Sequence, residues 1–131
     1  MPITSRRLLL ALLPVVVLAA CAPKQQGPYL VFFKPDSAEL TPDSLPRVAA
    51  AAAEAKSWNP KSISVDGYAG LTGTKDDNQV LSAKRAEAVV TALQQDGVSP
   101  ALIKRVDAHG ESGALPGVTV GDRRVEIKLN Y

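Results

Sequence analysis

The chain has 131 residues, 46% of them apolar, a formal net charge of +2 and one cysteine, Cys21. The net positive charge comes from Arg6 and Arg7 in the N-terminal segment, since the remainder holds Lys and Arg in the same number as Asp and Glu. That balance excludes the one-signed basic field of nucleic-acid binders, and one cysteine excludes an internal disulfide. We expect one compact domain that is stabilised by its core alone.

The N-terminal segment has the pattern of an export signal. Arg6 and Arg7 precede the apolar run Leu8–Ala20, which ends at Cys21 and is interrupted by Pro14. A membrane span needs about 20 apolar residues, so a permanent span is disfavoured. A basic region, a short apolar region and small residues before a cysteine resemble a bacterial lipoprotein signal. The resemblance implies removal of residues 1–20 and acylation of Cys21, which anchors the chain in a membrane.

The residue after the cysteine bears on the destination. Ala22 stands where Asp would mark inner-membrane retention in many diderm bacteria. The resemblance therefore implies the outer membrane, with the domain in the periplasm. Residues 21–28 contain Gln, Gly and Pro without periodicity, so we expect a disordered or extended tether that reaches roughly 25 Å at about 3.3–3.6 Å per residue.

The first half of the domain, which we place at 29–131, predicts one strand and one helix. Tyr29–Phe33 is a compact apolar and aromatic strand. After a loop, Thr41 is the predicted N-cap of a helix with Pro42 at its first position, although Pro46 could move that boundary. Asn59-Pro60 ends the helix.

The second half continues the alternation. Ile63 and Val65 predict a strand that ends at Gly67, and an apolar stripe predicts a helix from about Asn78 to Gln95, with Gly97 as its C-terminal cap. The remaining predicted elements are a helical turn at Ser99-Pro100, a strand over Ile103–Ala108, a glycine-rich loop over 110–121 and a half-buried strand in which Val125, Ile127 and Leu129 alternate with charged residues.

This order, β-α-β-α-β-β, predicts an α+β fold. We expect a two-layer sandwich in which both helices cover one face of a mixed sheet. The alternating charges of the last strand leave the other sheet face open to water.

A set of spaced residues resembles the signature of the OmpA-like domain that peptidoglycan-associated lipoproteins share; the set is Gly67, Gly73, Asn78, Leu81, Ser82, Arg85 and Ala86. Four flanking stretches are also similar to the family pattern, namely Phe33 with 36–40, Gly97-Val98, Gly110-Glu111 and 122–127. The similarity covers nearly all of residues 29–131.

The resemblance implies non-covalent binding of peptidoglycan stem peptides, usually through diaminopimelate. In the family motif G-H-T-D the Asp receives the ammonium of that residue, and a helix Arg receives its carboxylate, for which a planar guanidinium is suited. The matching Arg is Arg85, and the helix-opening Asn is Asn78. The Asp position falls on Gly70, because the motif here is Gly67-Tyr68-Ala69-Gly70.

The lost acid is the main departure from the family. Breaking one member of a desolvated charge pair costs about 2–5 kcal/mol. The acids considered as replacements from neighbouring loops are Asp36, Asp66, Asp76 and Asp77. Asp122 stands where the family has Asn and is either a compensating charge or a cap. Only the resemblance suggests that Arg123 or Arg124 lines the site.

Several of these residues have simpler interpretations. Arg85 is alternatively a solvated helix arginine paired with an acid, and Asn78 alternatively an N-cap. His109, near Glu111, is the only histidine, so no metal site is expected. Phe33 and Trp58 are expected to be packing anchors.

No nucleophile with catalytic context and no phosphate-binding loop is recognisable, so we expect neither an enzyme nor a cofactor. The predicted partners are the stem peptide, the membrane through the anchor, and envelope proteins. Two functions stay open: a lipoprotein that tethers the envelope to peptidoglycan, or a degenerate OmpA-like module that acts in protein interaction or envelope assembly.

Overall fold

A computed structural model describes residues 21–71, 73–111 and 122–131. The export signal, 1–20, and residues 112–121 of the predicted glycine-rich loop lie outside the described residues. The elements are β1 (Tyr29–Phe32), α1 (Leu45–Trp58), β2 (Ser62–Ala69), α2 (Lys75–Gln95), β3 (Ile103–Glu111) and β4 (Arg124–Asn130). Their order confirms the predicted β-α-β-α-β-β fold.

The sheet is mixed and has the strand order β1-β4-β2-β3. The last strand lies inside the sheet, antiparallel to β1 with Val31 opposite Val125 and antiparallel to β2 with Val65 opposite Ile127. β2 and β3 are parallel, with α2 as the connection. The chain therefore completes its sheet only when β4 inserts between two earlier strands.

One face of the sheet and both helices share a single core. Val31, Val65 and Ile127 from the sheet are fully buried and belong to the same cluster as Val48 of α1 and Val89 of α2. Burying such a side chain contributes about 1.5–3 kcal/mol. The charged residues of β4 alternate onto the other face, so the predicted two-layer arrangement is confirmed.

Gly67 allows α2 to approach β2 closely. A Cβ atom at this position would lie 2.2 Å from the backbone oxygen of Ser82 and 3.1 Å from the Cβ of Ala86. A backbone oxygen of a helix cannot move aside without displacing the helix. The glycine that opens the family-like signature is thus a packing requirement.

We predict that Gly67→Ala lowers the free energy of unfolding by about 1–3 kcal/mol or more, because the added methyl group must push α2 away from the sheet. Urea denaturation followed by circular dichroism measures the change. Ala83→Ser, on the exposed side of the same helix, is the control and should change the value by less than about 0.5 kcal/mol. Equal stability of Gly67→Ala and the parent chain would contradict the packing argument.

The start of α1 was predicted wrongly. The helix begins at Leu45 with Ser44 in the cap position, not at Pro42 after Thr41. Pro46 has no N–H to donate to the carbonyl of Pro42, so the continuous hydrogen bonding of the helix does not extend back to Pro42. Thr41 instead accepts hydrogen bonds from the backbone of Ser44 and Leu45. The predicted end is confirmed, since Asn59 adopts a left-handed conformation and caps the helix before Pro60.

The start of α2 was also predicted wrongly. Its N-cap is Thr74, whose hydroxyl accepts a hydrogen bond from the backbone N–H of Asp77, so Asn78 lies inside the helix. The end is as predicted. Gly97 has φ +94° and donates to Gln94, while Val98 donates to Leu93, which is a Schellman motif.

Several further predictions differ from the structure. β2 continues past Gly67 to Ala69, and β3 continues past Ala108 to Glu111, because the two strands pair up to these residues. Phe33 is buried as predicted, whereas Trp58 is 45% exposed. The tether has no helix or strand, but it contacts the domain instead of extending from it.

The topology gives the domain two distinct ends. β1 and β2 run toward the same end, where α1 and α2 begin and β4 starts; we call it the site end. At the other end lie Tyr29, the last turn of α1 and Tyr131; we call it the tether end. Within the described residues, no helix is long and apolar enough to cross a membrane.

Candidate functional site

A cavity of about 270 Å³ opens at the site end of the domain. Segments that are far apart in the sequence meet there: the loop after β1, the loop after β2, the first turns of α2 and the turn before β4. Its lining residues are Pro35, Asp36, Gly70, Leu71, Asn78, Leu81, Arg85, Asp122 and Arg123. The structure therefore brings together four of the five predicted binding residues and the position of the lost acid.

Arg85 is fully buried and is not the solvated arginine of the simpler interpretation. Its guanidinium donates to three backbone carbonyls, with Nε 2.8 Å from the oxygen of Ser37 and the terminal nitrogens 3.0 Å and 3.1 Å from those of Lys34 and Tyr68. Arginine has five N–H bonds, so two remain for other acceptors. One side chain thus fixes the loop after β1 to the end of β2.

The charge of Arg85 is not balanced by an ion pair with any described residue. Burial and, to a lesser extent, the charge of the nearby Arg123 lower the pKa of Arg85 to about 10, while Asp36 acts in the opposite direction. The side chain therefore remains protonated at neutral pH. The guanidinium also lies 5.3 Å from the centre of the Phe33 ring. A buried cation without an ion pair is stabilised by an anion that enters the cavity.

Two further polar groups of the cavity lack hydrogen-bond partners. Asn78 and Asp122 are 3% and 8% exposed, and the Asn78 Nδ2 and Asp122 Oδ1 atoms bond to none of the described residues. Buried polar groups almost always have partners, so such groups in a cavity point to a ligand. The cavity offers one donor and one negatively charged acceptor.

Asp122, which the sequence left open as a compensating charge or a cap, lines the cavity, whereas most of the four acids considered as replacements from neighbouring loops do not. Of those four, only Asp36 lines the cavity, at a left-handed backbone position with φ 53°. Asp66 lies on the opposite sheet face, and Asp76 and Asp77 are exposed in the first turn of α2. The sequence signal for Asp122 was that it stands where the family has Asn. Its position at the cavity, however, depends on how β4 inserts into the sheet.

The two consecutive arginines before and in β4 separate. Arg123 lines the cavity, and its Nε donates to the backbone oxygen of Phe33 at 3.3 Å. Arg124 lies on the open sheet face, where its guanidinium stacks 4.2 Å from the ring centre of Tyr68 and pairs with Glu126 at 2.9 Å. Successive residues of a strand point to opposite faces, so only one of the pair lines this site.

A larger cavity of about 680 Å³ lies beside the first, between β1 and the start of α1. It shares Pro35 and Arg123 with the smaller cavity, and Lys34, Arg47 and the exposed ring of Phe32 also line it. The combination of cations and apolar side chains could accept a ligand that extends out of the smaller cavity.

A polar cluster that the sequence did not predict occupies the open sheet face. Asp66 is 1% exposed, and its carboxylate contacts His109 at 2.9 Å, Lys128 at 3.3 Å and Arg105 at 3.4 Å. Asp66, Asp107 and His109 place ligand atoms within 4.8 Å of one another. Because two permanent cations already hold the Asp66 carboxylate, the cluster is organised as an ion-pair network that joins three strands.

The electrostatics of Asp66 give this cluster a pH dependence. Burial alone would raise the pKa of Asp66, but hydrogen bonds with His109 and Lys128 and the charges of Lys128 and Arg105 outweigh it and hold the pKa below its ordinary value of 3.8. A carboxyl with a depressed pKa in the folded state contributes stability above its unfolded pKa. That contribution is lost as the pH falls through the depressed value.

We predict that Asp66→Asn lowers the free energy of unfolding at pH 7 by about 1–3 kcal/mol, because a buried carboxylate that accepts from three partly exposed side chains is replaced by a weaker acceptor. The variant should also lose a smaller part of its stability between pH 5 and pH 2. Urea denaturation at several pH values measures both effects. Asp107→Asn, whose half-exposed side chain pairs with Arg105 alone, is the control and should cost less than about 1 kcal/mol.

Comparison with known proteins agrees with this fold. The family model "OmpA family" matches residues 32–125, so the chain belongs to the OmpA family. Over about 100 residues the chain is 30% identical to the "Peptidoglycan-associated lipoprotein" of Pseudomonas aeruginosa and 32% identical to that of Pseudomonas putida. Each match covers 74% of this chain and spans 60% of the length of the relative.

Solved structures show the same fold. The peptidoglycan-associated lipoprotein from Burkholderia pseudomallei superposes with a TM-score of 0.66 at 28% identity, over 76% of this chain and 87% of that one. The C-terminal domain of Helicobacter pylori MotB superposes with a TM-score of 0.68 at 24% identity, over 82% of this chain and 86% of that one. The second likeness bears on the fold alone.

Proposed function

We propose that this chain is an outer-membrane lipoprotein that binds peptidoglycan non-covalently and so tethers the envelope to the cell wall. The proposal is supported by the smaller cavity, which is lined by Arg85, a cation without an ion pair to any described residue, and by Asn78 and Asp122, whose Nδ2 and Oδ1 atoms have no hydrogen-bond partner among the described residues. A site with a fixed cation and a fixed anion recognises a zwitterion.

The amino-acid end of a stem peptide has this chemistry. Its carboxylate would accept hydrogen bonds from Arg85 and the Asn78 amide, while its ammonium would donate to Asp122, with Asp36 at the rim. Charge-assisted hydrogen bonds of this kind are about twice as strong as neutral ones. A cavity of about 270 Å³ accommodates the end of one amino acid, and a glycan strand would lie outside it.

Asp122 therefore takes the role that the family acid has lost at Gly70. Both positions line the same cavity, from different loops. The names of the Pseudomonas and Burkholderia relatives support peptidoglycan as the ligand. The pattern before Cys21 supports acylation there and a periplasmic location of the domain.

We predict that Asp122→Asn weakens binding to purified peptidoglycan sacculi by at least about tenfold, because the ammonium of the ligand loses its only fully charged buried partner; this corresponds to about 1.4 kcal/mol. Co-sedimentation over a range of sacculus concentrations measures the affinity. Asp96→Asn, at an exposed position outside both cavities, is the matched control and should bind as the parent chain does.

Arg85→Ala is a poor substitute for this experiment, since it would leave three carbonyls without a donor and release the loop after β1. If the parent chain does not co-sediment with sacculi, peptidoglycan binding is refuted, and the degenerate module that acts in envelope assembly becomes the better account. If Asp122→Asn binds as well as the parent chain, the assignment of Asp122 is wrong.

We further predict that Gly70→Asp, placed in the Asp122→Asn background, restores most of the lost affinity. The new carboxylate would return the acid to the family position, in the same cavity and facing the same ammonium. The double variant is compared with Asp122→Asn in the same sedimentation assay, after circular dichroism has shown that both are folded. A folded double variant without recovery would mean that the ligand lies differently from the family pattern.

A further inference from the structure

The segment that follows Cys21 is docked on the tether end of the domain. The backbone N–H of Ala22 donates to Ser57 Oγ at 3.2 Å, and the indole N–H of Trp58 donates to the backbone oxygen of Ala22 at 2.8 Å. Three residues later, the backbone N–H of Gln25 donates to Glu54 Oε2 at 2.7 Å. The predicted reach of roughly 25 Å is therefore not available while these contacts persist.

Glu54 holds the docked segment to the rest of the domain. It is 1% exposed, and its carboxylate also accepts hydrogen bonds from the hydroxyls of Tyr29 and, at 2.6 Å, Tyr131. Burial alone would raise the pKa of Glu54, but the hydrogen bonds from Tyr131, Tyr29 and Gln25 lower it. The carboxylate is thus ionised at neutral pH and joins the tether, β1, α1 and the residue after β4.

The surface beside Glu54 combines aromatic rings with lysines. Trp58 and Tyr131 are 45% and 39% exposed, and the Lys24 ammonium lies 3.8 Å from the centre of the Tyr131 ring and 5.7 Å from that of Trp58. Lys61 is exposed at the start of β2, next to Asn130. Tryptophan and tyrosine favour the headgroup level of a bilayer, and lysines favour anionic headgroups.

The docked segment brings this surface to the lipid-bearing residue. Cys21 directly precedes Ala22, which is bonded to Ser57 and Trp58 at the end of α1. Acyl chains on Cys21 would leave the protein beside the Trp58 ring. The site end lies opposite, because β2 spans the two ends with 8 residues, about 25 Å at 3.3 Å per residue.

We propose that the tether end, formed by Trp58, Tyr131, Lys24 and Lys61, is a membrane-contacting surface that the docked segment holds against the lipid headgroups, so that the binding cavity faces away from the membrane. This inference rests on the proposed acylation of Cys21. The partner of this surface is a lipid bilayer, because Cys21, the residue that carries the lipid, lies beside the surface.

The test uses Trp58, which is the only tryptophan of the chain. The lipoprotein, produced from the full-length sequence, is reconstituted in phosphatidylethanolamine and phosphatidylglycerol vesicles, with or without bromine on the acyl chains close to the headgroup. Bromine quenches only indole rings that lie at the bilayer surface. We expect quenching of Trp58 and a blue shift of its emission relative to the protein in solution.

The matched control adds a probe at the other end and keeps the Trp58 bond to Ala22. Phe32→Trp places a second indole at a site-end position that is 41% exposed in the parent chain. Brominated lipid should quench about twofold less of the total emission of this variant than of the parent chain, because only one of its two indoles would lie at the bilayer surface. Circular dichroism checks that the fold of the variant is unchanged.

Vesicle-bound protein whose Trp58 is not quenched, or equal fractional quenching of the parent chain and the Phe32→Trp variant, would overturn the oriented membrane contact while leaving peptidoglycan binding intact. Mass spectrometry of the purified protein reports acylation separately. A chain without acyl groups at Cys21 would overturn the proposed anchor and, with it, this surface. Failure of sacculus binding alone would leave the surface unaffected.

Discussion

One buried guanidinium, that of Arg85, holds together the loops at the site end of this domain. Arg85 reaches from α2 to three carbonyls, two in the loop after β1 and one near the end of β2. The three acceptor residues lie 17, 48 and 51 positions from Arg85 in the sequence. Carbonyl dipoles solvate the charge of Arg85 but do not neutralise it. The cation that fixes the loops is therefore further stabilised when an anion binds beside it.

The chemistry of the cavity depends on the charge of Arg85 and on the insertion of β4 into the sheet. The final strand enters between β1 and β2, and the residues just before it, Asp122 and Arg123, are thereby placed beside the loop after β1 and the first turns of α2. The fixed cation of Arg85 and the carboxylate of Asp122 then face one small volume. Gly67 contributes to this arrangement, because the absence of a side chain lets α2 lie close to β2.

Charge also organises the surfaces that lie away from the cavity. On the open sheet face, Asp66 is surrounded by cations from two neighbouring strands, which ties β3 and β4 to β2. At the tether end, Glu54 performs a similar task with two tyrosine hydroxyls and a backbone N–H. In both places a buried carboxylate with several donors links segments that are distant in sequence. Asp66 thus stabilises the open sheet face, and Glu54 stabilises the tether end.

Sequence periodicity and turn chemistry determined the order of elements, the end of each helix at Asn59 and Gly97, and the family-like positions Gly67 and Arg85, because these depend on neighbouring residues. The helix starts were missed where local signals competed, as at Pro46 and Thr74. Only the tertiary structure decided that Asp122 and not Asp66 lines the same cavity as Arg85, that Arg123 and not Arg124 lines it, and that the tether is docked. Those outcomes depend on strand order and on which face of the sheet a residue occupies, and spacing along the chain does not encode either.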